Sequence, residues 1–223
     1  MAEEKIFFTA DTHFNHPAIL KHCQRPFSTI EEMNECLIEN WNNKVGKKDR
    51  IYIIGDLCFS DHLKIIQRLN GRKHLIIGNH DKSLNQTILS HFVSVSQRKE
   101  VKINNRLFIL EHCPLRTWEE CYAGSILLYG HVHGRNQTYN LSFDVGVDTN
   151  NYWVYEYPEI MKMVKAKEEE MKKNHRIVEN KATKTIQYYQ DDVQYLEFLL
   201  KKERENNAKL KNLLKEKENE NKK

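Results

Sequence analysis

The chain has 223 residues, of which 30% are charged, and its formal net charge at pH 7 is +4. A mean hydropathy of -0.73 is too polar for a transmembrane span, and residues 1–5 contain no apolar signal region, so no membrane partner is predicted. The five cysteines are an odd number at scattered positions, which argues against a disulfide framework or a paired zinc site and predicts a reducing, cytoplasmic setting.

Short apolar runs of strand length recur along the chain, and each leads into a polar block. The runs are residues 5–10, 51–54, 74–77, 107–110 and 126–129. The blocks that follow are Asp11-Thr12-His13, Gly55-Asp56, Gly78-Asn79-His80-Asp81, Glu111-His112 and Gly130-His131-Val132-His133. The glycines permit backbone angles or close approaches that a side chain would block. Because strand ends deliver side chains to one edge of a sheet, we expect the five blocks to converge.

Helical patterns lie between the runs, at residues 28–44 and 61–69. In the first of them an apolar face is formed by Ile30, Met33, Leu37, Trp41 and Val45, while four glutamates lie on the other side. The later half is rich in strand patterns, at residues 95–103, 106–110, 125–129 and 139–147. This alternation of strands and helices predicts an α/β layered domain.

The residue types in the five blocks indicate a metal site. Carboxylate, imidazole and amide ligands without a thiolate suit borderline divalent ions such as Mn, Fe, Zn or Co. Two such ions about 3.5 to 4 Å apart can clamp a phosphate ester and lower the pKa of a bridging water. A carboxylate between the ions would bridge them, and Asp56 is the residue predicted for this position.

The ordered blocks resemble the signature of the calcineurin-like metallophosphoesterase family, which is D-x-H, GD, GNH-D/E, H and GHxH. The resemblance covers residues 5–156 and implies two mixed β-sheets packed as a sandwich and flanked by helices. It implies one metal held by Asp11, His13 and His133, a second held by Asn79, His112 and His131, and Asp56 bridging both. The attacking group would then be a metal-bridging hydroxide. His80 would stabilise charge on the phosphate or protonate the leaving oxygen, and Asp81 would orient the His80 imidazole.

The sequence after Asp56 separates this chain from one branch of that family. Asp56 is followed by Leu57-Cys58-Phe59, without the second Asp or the Asp-Arg-Gly of the phosphoprotein phosphatases. The region from Asp11 to Trp41 instead resembles small prokaryotic and phage-type phosphoesterases. His16 and Arg25 lie near the first block, where a phosphate contact and a structural role are equally open. Asp144, Asp148 and Arg116 could contact the metal ligands or the substrate, but turn-capping or surface pairing is favoured for each of them. Structural or solvated roles are favoured for His22, His62, His74, His91 and His175.

The chain changes character near Pro158. Each of its 8 glycines and 4 prolines lies at or before that residue, and nothing after it breaks a helix. We therefore predict a catalytic domain at residues 1–157 and a charged helical extension at 158–223. A heptad pattern from about 183 to 215 predicts a coiled coil and hence a homodimer, with a single amphipathic helix against the catalytic domain as the alternative. The heptad positions are Ile186, Val193, Leu200, Asn207 and Leu214, with Tyr189, Leu196 and Leu210 on the second seam.

Taken together, the sequence predicts a metal-dependent phosphoesterase with two divalent ions, of which manganese is favoured over Fe, Zn, Ni or Co. Phosphodiesters are favoured over monoesters because small members of the family often act on diesters. The substrate would be a phosphate ester, with a nucleotide or nucleic acid among the candidates. The alternatives are a nuclease, for which the basic residues form no clear stripe, and a coiled-coil scaffold that keeps the metal site only for structure.

Overall fold

A computed structural model of the chain describes residues 4–82, 84–135, 139–173, 197 and 200–204. The strands are β1 (Ile6–Thr9), β2 (Arg50–Ile54), β3 (Arg72–Ile76), β4 (Ser94–Ser96), β5 (Arg98–Ile103), β6 (Arg106–Glu111), β7 (Ile126–Tyr129), β8 (Ser142–Asp144) and β9 (Tyr155–Glu156). The α-helices are α1 (Pro17–His22), α2 (Ile30–Lys44), α3 (His62–Arg68), α4 (Gln86–Leu89) and α5 (Tyr157–Lys173).

The strands form two mixed sheets, which confirms the predicted α/β sandwich. The first sheet has the order β4-β3-β2-β1-β9, in which only β9 is antiparallel to its neighbour. The second has the order β5-β6-β7-β8, with β5 antiparallel and the remaining pairs parallel. Parallel strands end at the same edge of a sheet, so the polar blocks that follow β1, β2, β3 and β7 are brought to common edges.

Alternate residues of each strand enter different layers of the core. In β2, Tyr52 and Ile54 face the second sheet, whereas Ile51 and Ile53 pack with α1, α2 and α3 on the outer side. In the second sheet, Ile109 points away from the sandwich and packs with Trp118 from the segment after β6. Because both faces of these strands are buried, their sequences are continuously apolar rather than alternating.

The apolar face predicted for the first long helix is confirmed in α2. Met33, Leu37 and Trp41 are at most 3% exposed, and they pack on the outer side of the first sheet. The helix begins after Thr29, whose side chain accepts a hydrogen bond from the backbone N–H of Glu32 at 3.1 Å.

Two predicted strands differ from the observed ones. The pattern at residues 95–103 is divided between β4 and β5, which belong to different sheets, because the chain crosses from one sheet to the other after Ser96. The pattern at 139–147 contains only the short strand β8. It ends at Asp144 because that carboxylate accepts hydrogen bonds from the N–H groups of Gly134 and Gly146 and turns the chain into a 3₁₀ turn, Val147–Thr149.

The chain divides into two compact units, Met1–Lys173 and Asn174–Lys223. Helix α5, which the change of composition near Pro158 predicts as part of the extension, belongs to the first unit, and its residues Ile160 and Val164 are fully buried in the core between the sheets. In the second unit, residues 197 and 200–204 are helical and exposed, and Leu200 is 52% exposed. The remainder of the predicted coiled coil lies outside the described residues. Among the described helices none is long and apolar enough to cross a membrane.

Candidate metal centre

The loops after β1 and β2 are joined by backbone hydrogen bonds that bring two of the polar blocks together. The N–H of Asp11 donates to the carbonyl of Gly55 at 3.1 Å, and the N–H of His13 donates to the carbonyl of Asp56 at 3.0 Å. The side chain of Thr12 donates to the carbonyl of Leu57 at 2.7 Å. The loops that carry the first two polar blocks are therefore hydrogen-bonded to each other at the carboxyl ends of the adjacent parallel strands β1 and β2.

The backbone at the polar blocks is in an unusual conformation. Positive φ angles occur at Asp11 (54°), His13 (50°), Asp56 (54°), His131 (71°) and His133 (50°). Residues with a side chain rarely adopt this left-handed region, and each instance away from glycine carries a cost. The surrounding hydrogen bonds hold these residues there, so that their side chains point toward a common centre.

Two of the predicted glycines are required by close packing against ligand residues. A Cβ on Gly78 would lie 2.2 Å from Oδ1 of Asp56, and a Cβ on Gly130 would lie 2.5 Å from Oδ2 of Asp11. Both distances are far below van der Waals contact. The glycines in these blocks therefore make room for the carboxylates of the neighbouring blocks.

Three groups of described side chains have metal-binding spacing, and the predicted ligands form two of them, while the third is Cys23, His133 and Asp148. Within each group the potential ligand atoms lie within 4.8 Å of one another, and the two groups of predicted ligands are Asp11, His13 and His133, and Asp56, His112 and His131. Asp56 lies between them, because its Oδ2 is 3.7 Å from Nε2 of His13 and 3.4 Å from Nε2 of His112. The residues predicted for the two metals are thus brought together, with the predicted bridging carboxylate in the middle.

The first group contains buried polar atoms that a cation would satisfy. Oδ1 of Asp11 and both ring nitrogens of His13 are buried without a hydrogen-bond partner among the described residues. Burial raises the pKa of Asp11 to about 7, and burial lowers the pKa of His13 to about 3. A neutral imidazole and a carboxylate whose charge is penalised by burial are both stabilised by a divalent ion beside them. These residues fit a metal.

In the second group several atoms that can accept a hydrogen bond or bind a metal ion lie close to one another. Nδ1 of His112 donates to the carbonyl of Ile54 at 2.9 Å, so Nε2 is the nitrogen whose proton a metal ion would replace. That nitrogen lies 2.9 Å from Oδ1 of Asn79 and 3.4 Å from Oδ2 of Asp56. Nδ1 of His131 also lies 2.9 Å from Oδ1 of Asn79. Such a set of acceptors requires a proton or a metal ion at its centre.

In the metal-free chain a proton on His112 occupies this centre, as the pKa values of the second group show. For Asp56 burial acts to raise the pKa, but the hydrogen bond and charge of His112 outweigh it and lower the pKa to about 2. For His112 burial acts to lower the pKa, but Asp56 outweighs it and raises the pKa to about 9. The carboxylate is therefore ionised near neutral pH, as a metal ligand must be.

The buried ion pair of Arg25 and Asp148 packs against the first ligand group. Arg25 donates from Nε and from its second terminal nitrogen to both oxygens of Asp148, at 2.8 and 2.7 Å, and its guanidinium also donates to the carbonyls of Asp11 and Thr12. Asp148 in turn accepts from Nδ1 of His133 at 2.7 Å. The Arg25 side chain is 0% exposed. Arg25 is therefore buried beneath the site, and the contacts that its guanidinium makes there are structural.

Asp81 makes contacts other than the expected one. Its carboxylate accepts hydrogen bonds from the backbone N–H groups of Asp56, Leu57 and Gly78, at 2.7, 3.1 and 2.9 Å. Within the described part of the chain, no hydrogen bond joins it to the ring of His80. It ties the loop after β2 to the loop after β3, and so it positions Asp56 rather than the His80 imidazole.

His80 and His16 lie at the rim of the centre. The His80 side chain is 43% exposed, its Nε2 is 3.9 Å from Oδ2 of Asp56, and its backbone N–H donates to Oδ1 of Asp56 at 2.9 Å. The ring of His16 lies 5.4 Å from that of His13 and stacks on Phe59, with centroids 3.7 Å apart.

Sequence reasoning missed two participants in this arrangement. For Asp148 the sequence favours turn-capping or surface pairing over a contact with a metal ligand, yet Asp148 joins Arg25 to His133 across a separation of more than a hundred residues, which no local pattern reveals. Phe59 had no assigned role, and the only signal was its position in an apolar stretch directly after Asp56. For Asp144 the turn-capping interpretation agrees with its backbone contacts.

Comparison with known proteins identifies relatives of this chain. It is 34% identical over 176 residues to the uncharacterized protein MJ1445 of Methanocaldococcus jannaschii, covering 74% of this chain and 93% of the relative. It is 27% identical over 161 residues to the gene 66 protein of Mycobacterium phage D29, covering 58% and 79%. The solved structure of AQ665, a protein of unknown function from Aquifex aeolicus, has a TM-score of 0.61 at 24% identity and covers 72% of this chain and all of that one.

These comparisons show the family and the fold. No protein-family model matches the chain. The chain belongs to the family of MJ1445, and its sandwich fold is shared with AQ665. The two mixed sheets flanked by helices are the fold that the motif resemblance predicted.

Proposed function

We propose that this member of the MJ1445 family is a metal-dependent phosphodiesterase with a dinuclear centre. The observation that carries the proposal is the position of Asp56, whose Oδ2 lies between Nε2 of His13 and Nε2 of His112 at 3.7 and 3.4 Å. A carboxylate shared by two ligand groups is the arrangement that a bridging ligand requires. Asp11, His13 and His133 would hold one ion, and Asn79, His112 and His131 the other.

The chemistry of the ions would act on a phosphate ester. When bound by these residues, divalent ions would supply Lewis-acid chemistry to the phosphoryl oxygens and would lower the pKa of a coordinated water molecule. The predicted ligands are carboxylate, imidazole and amide groups, which suit Mn, Fe, Zn, Ni or Co, and we favour manganese among these ions. We further propose a reducing, cytoplasmic setting, because the five cysteines are an odd number at scattered positions.

The chain's own residues supply positioning and proton transfer. Asp148 accepts from Nδ1 of His133 and holds that ring with Nε2 free. Asp81 holds the backbone of Asp56 through hydrogen bonds. His80 stands at the exposed rim, 3.9 Å from the bridging carboxylate, where it would donate a proton to the leaving oxygen of the ester.

The proposal is tested with chelated protein that is resupplied with Mn, Ni, Co, Zn or Mg. Hydrolysis of bis-p-nitrophenyl phosphate is compared with that of p-nitrophenyl phosphate, and bound metal is counted by mass spectrometry. We expect two ions per chain and metal-dependent turnover of the diester that is lost in Asp56→Ala. Full activity in that variant would refute the assignment, and a preference for the monoester would make the protein a phosphatase.

A further inference from the structure

Three rings line one side of the metal centre. Phe59 stacks on His16 with the ring centroids 3.7 Å apart and the ring planes 3° apart. The Phe59 ring is also 4.7 Å from that of His80 and 5.7 Å from that of His13. Leu57 and Cys58, which precede Phe59, are 1% exposed, whereas Phe59 itself is 38% exposed. A large aromatic side chain is therefore kept in contact with solvent directly beside the catalytic histidine.

The distances between the rings define which side of Phe59 is covered. His16 lies directly over one face of Phe59, because the centroid distance is short and the rings are nearly parallel. The centroids of His16 and His80 are 6.2 Å apart, which makes a nearly right angle at Phe59. His80 consequently stands beyond the edge of the Phe59 ring. Neither histidine covers the second face of Phe59.

The position of the stacked pair is fixed relative to the metal ligands. The N–H of Phe59 donates to the carbonyl of Phe14 at 2.9 Å, and the N–H of His16 donates to the carbonyl of His13 at 3.2 Å. Phe59 lies in the loop that carries Asp56, and His16 lies in the loop that carries His13. The two loops that bind the metals thus also hold the two rings, so a group stacked on Phe59 keeps a defined distance from the phosphate.

We propose that Phe59, supported from behind by His16, is a stacking platform for a planar heteroaromatic group of the phosphate ester. The proposal rests on the proposed function and extends it to a substrate class, namely phosphate esters that carry a nucleobase. Stacking on an aromatic side chain tolerates any base, because every base has a π-face, and it contributes roughly 5- to 150-fold in affinity per base. The platform selects for the presence of a base and not for its identity.

A matched pair of ligands tests the platform. Adenosine 5′-monophosphate and ribose 5-phosphate share the phosphate and the sugar and differ in the base. Calorimetry with the manganese-loaded full chain, with phosphate release checked after each titration, should give a Kd about tenfold lower for the nucleotide. Phe59→Leu should abolish this difference without changing the Kd of ribose 5-phosphate, and Phe59→Tyr should retain it.

A second exposed aromatic residue provides the control. Tyr139 is 52% exposed and precedes β8, at the opposite end of the strand from the ligand blocks, since β7 and β8 are parallel. Tyr139→Leu should leave the ratio of the two Kd values unchanged, and an equal loss in this variant would overturn the platform.

The remaining outcomes separate the two proposals. Equal Kd values for the pair in the unsubstituted chain, or a ratio unaffected by Phe59→Leu, would overturn the platform alone. If neither ligand nor inorganic phosphate binds the metal-loaded chain, the phosphoesterase proposal falls and the platform falls with it.

Discussion

The ring of His80 is exposed, and its Nε2 approaches the Asp56 carboxylate only to 3.9 Å. We therefore expect His80→Ala to retain both metal ions and to lower kcat for bis-p-nitrophenyl phosphate by about 10²- to 10⁴-fold, since a positioned proton donor is lost. Steady-state kinetics and metal analysis after dialysis measure the two effects separately.

The control for this prediction is His91→Ala, which removes another exposed histidine and should leave kcat unchanged. Loss of one metal ion together with activity in His80→Ala would show that His80 is itself a ligand.

Arg25 is the buried residue on which the first ligand group depends. Its guanidinium pairs with Asp148 and also satisfies the carbonyls of Asp11 and Thr12. Arg25→Met would leave Asp148 as a buried charge without its arginine partner, so we expect the free energy of unfolding to fall by about 3–5 kcal/mol. Urea denaturation of the metal-free chain measures this change without a contribution from metal binding.

The same substitution at an exposed pair is the matched control. Arg68 pairs with Glu35 at the surface, where both side chains are about half exposed. Arg68→Met should cost at most about 1 kcal/mol, because solvent screens such pairs. Equal losses in the two variants would mean that burial adds nothing to the Arg25 interaction.

At the scale of secondary structure elements, apolar runs and glycines predict the strands and the blocks that end them. Ile51–Ile54 and Ile126–Tyr129 are buried on both faces, so their composition alone indicates core strands. Sheet membership could not be predicted, because residues 95–103 read as one strand and the chain changes sheets after Ser96. The contact between Arg25 and Asp148 could not be predicted either, because tertiary folding brings them together and neither has a local pattern.

The pairing of β3 with β4 contains a histidine whose protonation opposes folding. His74 lies opposite Ser94, and its Nδ1 is 2.7 Å from the serine oxygen. Burial lowers the pKa of His74 to about 4, from its ordinary value of about 6.5. Between these values the unfolded chain binds a proton that the folded chain does not. The contribution of neutral His74 to the free energy of unfolding is therefore fully present above about pH 6.5, and it is lost as the pH falls toward 4.

In that pH window we expect His74 to lower the free energy of unfolding by at most about 1.4 kcal/mol for each pH unit of acidification. Urea unfolding of metal-free protein at pH 7, 6 and 5 should give a flatter pH dependence for His74→Gln than for the unsubstituted chain. Identical slopes would mean that His74 keeps its ordinary pKa in the folded state. The other titrating histidines are common to both proteins and cancel in the difference.

At the scale of the whole molecule, the first compact unit contains each metal-ligand candidate and the buried residues of α5. A chain that ends after Lys173 should therefore fold and keep the metal-dependent kcat of the full chain. A chain that ends before α5 removes Ile160 and Val164 from the core between the sheets and should be strongly destabilised. Comparing the two shortened chains shows whether α5 or the residues after Lys173 are needed for folding.

The heptads after Lys173 predict that the full chain is a dimer and that the chain ending there is a monomer. Asn207 at a core position of the heptads favours a parallel coiled coil of two helices, because a buried amide prefers another amide opposite it. Sedimentation velocity should give twice the chain mass for the full protein and the single chain mass for the shortened one, with equal kcat per site. A monomeric full chain would support the alternative of a single amphipathic helix. A dimeric shortened chain would instead place the interface within the catalytic unit.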